Sequence, residues 1–139
     1  MSQQEQTHHR GPKNTIPVKK AIHEAGQWRQ LFKRLFHTKK HPADHPILRA
    51  FYIPKKDLEE MLCRHDAVGA RAYICVRDGI DDIRIDPFHI VLVPVRENEN
   101  GHKIDILEFK DPESQEVVSA VYDFTSPCPS TCDENSLLY

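Results

Sequence analysis

The spacing of apolar residues changes along this chain, and that change limits the fold classes it can adopt. From Val18 to Phe36, apolar side chains recur every three or four residues, which places them on one face of a helix. From Ala72 onward, short runs either alternate or are apolar throughout, as strands are. Helices followed by strands that are joined through short turns are typical of an α+β protein. The sequence therefore predicts an antiparallel sheet of about four to five strands with two helices packed against it.

Prolines mark the ends of the predicted helices. Pro17 suits a first helical turn, where its missing N–H is not needed. Pro42 and Pro46 prevent that helix from continuing, since each disfavours helical geometry in the residue before it. Pro54 begins the second helix, just after a short strand predicted for residues 50–53. The apolar face of the first helix consists of Val18, Ala21, Ile22, Ala25, Trp28, Phe32, Leu35 and Phe36.

Further strands are predicted after the second helix, at residues 72–76, 88–93, 103–109 and 117–124. The second of these is apolar on both faces, which indicates a central strand that is covered on both sides. Pro94 should lie near its end, because proline cannot donate to a strand ladder. A turn is predicted at residues 97–101, whose sequence is Glu-Asn-Glu-Asn-Gly.

A length of 139 residues favours one domain. Residues 1–15 are polar and lack periodicity, so we expect a disordered arm followed by a single domain over residues 16–139. No leader opens the chain, no apolar run approaches the roughly 20 residues of a membrane span, and four cysteines are too few for a disulfide scaffold. These features predict a soluble cytoplasmic protein with reduced thiols.

Charge is distributed unevenly along the chain. Up to Leu48 there are nine Lys and Arg against three acidic residues, and from Arg49 there are ten against eighteen. The basic segment also carries the apolar helix face, which favours attraction between the two parts of one molecule. The alternative is a surface that binds nucleic acid or an anionic membrane. Its cations are Lys19, Lys20, Arg29, Lys33, Arg34, Lys39 and Lys40.

Two cysteines near the C-terminus carry the densest chemistry in the sequence. Cys128 and Cys132 form a C-x3-C pair beside two prolines. Together with His37 and His41 they could hold a zinc ion in a Cys2His2 site, if the distant segments converge. The alternatives are two small residues packed in a turn that is rigid because of its prolines, and a redox pair, although the spacing is not the C-x-x-C of thioredoxins.

The end of the chain resembles the tail of a set of small uncharacterised bacterial proteins. The resemblance lies in Tyr122-Asp123-Phe124-Thr125, then Pro127-Cys128-Pro129 and Cys132-Asp133, with Ser136-Leu137 just beyond. It covers mainly the last twenty residues, with a looser likeness of pattern over residues 51–95. The resemblance implies a purposeful tail and carries no activity over to this chain.

Other motifs lack a necessary member. His23-Glu24 resembles the start of a zinc-protease motif, but Gln27 replaces the second histidine, which favours an exposed helix face. Cys63 and His65 lie two positions apart on a helix and cannot share a proton. Phosphate-binding glycine loops are absent from the sequence, and the acids Asp78, Asp81, Asp82 and Asp86 lack calcium-loop spacing and favour a solvated loop. We therefore predict no catalytic residue, and expect a non-enzymatic module that binds another protein and has a structural or metal-binding tail.

Overall fold

A computed structural model describes residues 13–36, 47–76, 88–128 and 131–139 of the chain. Two helices and seven antiparallel strands lie in these ranges, so the predicted α+β class is confirmed. The chain divides into two compact units, one with residues 13–36 and 133–139, the other with the described residues between 47 and 132. The predicted arm lies outside the described residues except for 13–15, and the single domain over 16–139 stays a prediction.

The first unit contains helix α1, Val18–Phe36. The helix begins where the prolines predict, and the carbonyl of Pro17 accepts a hydrogen bond from the first turn. Phe32 is buried and its ring lies edge-on to Trp28, with centroids 5.6 Å apart. Leu35, however, is 60% exposed. The predicted apolar face is thus buried only in part.

The C-terminal segment 133–139 belongs to the same unit as α1. Arg29 Nη1 donates a hydrogen bond of 2.9 Å to the carbonyl of Leu138. Two tight turns, closed by hydrogen bonds of 3.1 Å from Ser136 to Asp133 and from Tyr139 to Ser136, shape the segment. Local turns and the hydrogen bond from Arg29 to Leu138 therefore help to shape the segment.

The second unit contains one helix and all seven strands. Helix α2 follows Pro54, as predicted, and buries Met61. The strands form three small sheets, with orders β1-β7, β2-β3-β4 and β5-β6, where one sheet was predicted. The elements are β1 Ala50–Tyr52, α2 Lys55–Arg64, β2 Gly69–Val76, β3 Phe88–Glu97, β4 Lys103–Asp105, β5 Glu108–Lys110, β6 Val117–Ser119 and β7 Ser126–Cys128.

Strand β3 supplies most of the core of this unit. Ile90, Leu92 and Pro94 are buried on one face of the strand, and Val93 and Val95 are buried on the other. The prediction of a central strand that is covered on both sides is confirmed. The prediction that Pro94 lies near its end is wrong, because β3 runs on to Glu97.

Pro94 is tolerated inside β3 because of its position along the strand. Its nitrogen faces the side of β3 on which the hydrogen-bonding partner changes from β4 to Tyr122. Leu92 exchanges hydrogen bonds of 2.8 and 2.9 Å with Tyr122, so its backbone faces away from β2, and the backbone of Pro94 faces the same way. Ile106 donates to the carbonyl of Pro94 at 2.9 Å, but proline cannot return the bond. Pairing between β3 and β4 therefore ends at Asp105, and the strand predicted at 103–109 divides into β4 and β5.

The turn between β3 and β4 lies where the sequence predicts one. The side-chain oxygen of Asn98 accepts hydrogen bonds from the amides of Asn100 at 3.0 Å and His102 at 2.9 Å. Gly101 has a φ of +80°, a backbone conformation that costs glycine little. The predicted turn chemistry is confirmed, with Asn98 as the residue that organises it.

A polar clamp joins β2 to β4 across one face of β3. The carboxylate of Asp105 accepts hydrogen bonds from the Arg71 guanidinium and from the Tyr73 hydroxyl, and Arg71 also donates to the carbonyl of Lys103 at 3.3 Å. Arg71 and Tyr73 are two positions apart in β2, so their side chains share a face. The Asp105 side chain is only 18% exposed, which strengthens this ion pair relative to one in water.

We expect Asp105→Ala to lower the free energy of unfolding by about 1–3 kcal/mol, because the Arg71 charge and the Tyr73 hydroxyl both lose a partner. Urea denaturation would measure the loss. Glu97→Ala is the matched control, since it removes the exposed ion pair with Lys103 from the same hairpin and should cost less than about 1 kcal/mol. Equal losses for the two variants would contradict the clamp.

Candidate functional site

The backbone of strand β2 is hydrogen-bonded on one side only. Among the described residues β2 pairs with β3 alone, and the register places Ala72 opposite Leu92. Because the backbone of Leu92 faces Tyr122, the bonds between β2 and β3 are made at the alternate positions, such as Arg71 and Tyr73. The remaining backbone groups point away from the sheet. We call them the open edge: Ala70, Ala72, Ile74 and Val76.

The side chains of the open edge are all apolar and all exposed. Ile74 is 79% exposed and Val76 is 47% exposed. Their partners on the same face of β3 include Ile90 and Leu92, which are buried. The layer that covers this face of the sheet therefore ends at β3 and leaves β2 uncovered.

Proteins usually protect such an edge, and β2 lacks the usual devices. Charged side chains, proline and bulges are what keep an edge strand from pairing with another chain. Strand β2 contains no proline and one charge, Arg71, whose side chain lies on the opposite face, where Asp105 binds it. Unpaired backbone groups beside apolar side chains are the surface to which an extended peptide adds as a further strand.

The sequence predicts a strand at 72–76 but does not reveal that it lies at an edge. Strand order depends on pairings between residues far apart in the chain, and the alternation within β2 is the same for an edge strand and an inner strand. One local signal was present. The eight residues of β2 carry a single charge, which is few for a strand whose side chains are mostly exposed.

The structure joins Cys128 and Cys132 in a disulfide, whereas the sequence led us to expect reduced thiols. Cys128 is buried at the end of β7, and its carbonyl accepts a hydrogen bond of 2.8 Å from Arg49 beside β1. Beside the bridge, the Thr131 hydroxyl donates to the carbonyl of Pro127 at 2.9 Å. The bridge thus closes a short loop next to the β1-β7 pair. Cys63 and Cys75 are free thiols.

The predicted zinc site cannot form from the bridged cysteines, because zinc binds thiolates. Its other predicted ligands, His37 and His41, lie outside the described residues, as do the four aspartates of the predicted solvated loop. The part of the chain that the structure describes contains no group of three or more His, Cys, Asp or Glu arranged to hold a metal. Zinc binding by the reduced pair stays a prediction.

A histidine–tyrosine pair is, like the clamp at Asp105, a polar cluster that the sequence did not lead us to expect. His65 Nε2 lies 2.8 Å from the Tyr122 hydroxyl, and the His65 ring stands edge-on to Phe109, with centroids 4.5 Å apart. Burial, aided by the Arg64 charge, lowers the pKa of His65, and burial raises the pKa of Tyr122. Because the partners are 57 positions apart, no local pattern announces them.

The cations of α1 lie on a helix whose apolar face is partly exposed. Trp28, Leu31 and Leu35 are all exposed, and Lys20 forms a long ion pair of 3.9 Å with Glu24. The predicted exposed face around Glu24 fits this arrangement. In the described ranges, neither helix has the length and apolar character needed to cross a bilayer. Binding of nucleic acid or an anionic surface by α1 stays a prediction.

We expect Cys132→Ser to lower the free energy of unfolding by about 2 kcal/mol, the cost of opening a five-residue loop. Denaturation in non-reducing buffer would measure it. Reductant should destabilise the wild type to the same extent and leave Cys132→Ser unchanged. A wild type that is insensitive to reductant would show that the bridge does not stabilise the fold.

We expect the free energy of unfolding to decrease as the pH is lowered, and His65 to cause part of that decrease. Its folded-state pKa lies below the ordinary value of 6.5, so the unfolded state binds more protons as the pH falls through that value. The stability that this pKa shift contributes is fully present above pH 6.5 and is lost as the pH falls through the lower, folded-state pKa. Urea midpoints between about pH 8 and about pH 5 should therefore fall less steeply for His65→Gln than for the wild type. Parallel curves for the two proteins would rule His65 out as the cause.

Comparison of the chain with protein-family models, with curated proteins and with solved structures finds no match. Function must therefore be argued from the residues of the chain itself. Among the sites of the second unit described above, the open edge combines outward-facing backbone groups with exposed apolar side chains. The disulfide, the clamp and the histidine–tyrosine pair each bond groups within the second unit.

Proposed function

We propose that the protein is a non-enzymatic interaction module that binds an extended segment of a protein as an added strand along the open edge. The observation that carries the proposal is the combination of outward-facing backbone groups and exposed apolar side chains at the same four positions of β2. Such a surface offers main-chain hydrogen bonds for affinity and a side-chain face for specificity.

The polar clusters of the second unit support a binding role over a catalytic one. Asp105 is occupied by Arg71 and Tyr73, and the Tyr122 hydroxyl is occupied by His65. Groups bonded in this way hold elements of the unit together. The clamp in particular joins β2 to β4, so β2 is held in the sheet before any partner arrives, which lowers the entropic cost of binding.

The chemistry of the open edge defines the partner segment. Its residues facing the Ile74 side of the sheet should be apolar and branched, because they extend a face on which Ile74 and Val76 are uncovered. On the opposite face the segment passes Tyr73, which is 43% exposed and suits an aromatic or β-branched neighbour. Proline should be excluded wherever the segment donates a hydrogen bond to β2.

The C-terminal bridge has a structural part in this proposal. It closes the loop after β7 next to the pairing with β1, while the open edge lies on β2, in another sheet of the same unit. The resemblance of the tail to that of other small proteins then reflects a shared way of finishing the fold. Binding at β2 would therefore not depend on the redox state of the cysteines, provided that the reduced protein stays folded.

Selection from a displayed library of extended peptides would test the proposal. Peptides of roughly the length of β2 that bind the wild type should show apolar residues at alternate positions. Ala72→Pro should weaken their binding by at least about tenfold, since it removes an outward N–H without touching the bonds to β3.

Ala72→Ser is the matched control, because it keeps the N–H and changes a neighbouring atom of similar size. It should retain most of the affinity. Binders that tolerate Ala72→Pro, or a selection that yields no alternating sequence, would remove the open edge as the binding surface. Hydrogen exchange of the amides of β2 and β3 would verify that Ala72→Pro leaves their pairing intact.

A further inference from the structure

We infer that one partner of the open edge is a second copy of this chain, joined through antiparallel pairing of two β2 strands about a two-fold axis. The inference rests on the proposed function and names the partner. Its basis is that the open edge is complementary to itself in backbone pattern, side-chain size and charge.

The backbone pattern of β2 is symmetric about Tyr73. The four outward-facing residues occupy positions 70, 72, 74 and 76, so an antiparallel register centred on Tyr73 pairs each outward residue with an outward residue of the second copy. Ala72 then faces Ile74, and Ala70 faces Val76. Other two-fold registers leave at least one of the four without an outward-facing partner.

Side-chain size also fits this register. Each contact on the apolar face joins an alanine with a branched residue, because Ala70 and Ala72 lie in one half of the strand, and Ile74 and Val76 in the other. The two strands would form one continuous apolar surface flanked on both sides by the buried Ile90 and Leu92 of β3. Ile74, the most exposed of these side chains, would gain the largest cover.

Charge presents no obstacle to this pairing. Arg71, the one charged residue of β2, would lie opposite Cys75 of the second copy, and Asp105 already neutralises it. At the centre, Tyr73 would face Tyr73 on the opposite side of the sheet, and facing aromatic residues stabilise antiparallel pairs. A two-fold interface needs such self-complementarity.

The mass of the wild type in solution tests the inference directly. Light scattering after size-exclusion chromatography should give a dimer that dissociates on dilution. Ile74→Lys should give a monomer, because it places two charges on the apolar face, and its 79% exposure makes the change harmless to the folded monomer. Val117→Lys, at a comparably exposed apolar position of β6, should stay dimeric.

Cross-linking tests the register. In a Cys63→Ser/Cys75→Ser background, Tyr73→Cys should form an intermolecular disulfide under mild oxidation, because the two Cα atoms of that pair would be about 4.5 Å apart. Cys75 is the built-in control. In the Cys63→Ser protein its two copies would lie about 13 Å apart and should not cross-link. A cross-link through Cys75 and none through Tyr73→Cys would overturn the register.

The outcomes separate this inference from the proposed function. A wild type that stays monomeric up to the concentration of an NMR sample, while selected peptides still bind the open edge, overturns the dimer and leaves the interaction module standing. A dimer that Ile74→Lys does not dissociate also overturns the inference. A further test needs no variant. As the wild type is concentrated, hydrogen exchange should slow at the backbone amides of the open edge, Ala70, Ala72, Ile74 and Val76.

Discussion

The position of β3 between two different neighbours is the constraint on which the second unit depends. Its residues are buried on both faces, and its backbone bonds to β2 on one side and to β4 and Tyr122 on the other. Pro94 divides that second side, since a residue without an N–H cannot complete a ladder. Pairing passes from β4 to Tyr122 at this point, and the chain after Asp105 is free to form another sheet.

The alternation that β3 imposes also decides what β2 shows to its surroundings. Because Val91 and Val93 bond to β2, the positions Tyr73 and Arg71 face inward along the ladder, and the positions between them face outward. The clamp to Asp105 uses the inward-facing positions. The backbone groups that hold the sheet together and those that the proposed partner would bind therefore lie on alternate residues of one strand, so a change of the exposed Ile74 side chain should have little effect on folding.

Sequence reasoning succeeds here where the determinants are local. The first residues of α1 and α2 follow from Pro17 and Pro54. The turn at Asn98 follows from its side chain, and the burial of β3 on both faces follows from an apolar run. It fails where two distant segments meet. The pairing of β1 with β7, the contact of His65 with Tyr122 and the edge position of β2 each join residues that no local pattern connects. The prediction that Pro94 lies near the end of β3 was wrong for a related reason. The hydrogen bond that a proline costs a strand depends on which neighbour its nitrogen faces.

An unprotected edge is informative because it is costly to keep. Eight residues that pair readily with another strand expose a protein to aggregation, and a single outward-facing lysine would be enough to discourage it. In β2 the side chain of the one charged residue, Arg71, binds Asp105. A charged side chain at Ala72 or Ile74 would lie on the other face of the sheet and would not disturb the clamp. The distribution of residues along β2 therefore supports the proposal that this strand pairs with another chain, because the devices that would prevent such pairing are missing from it.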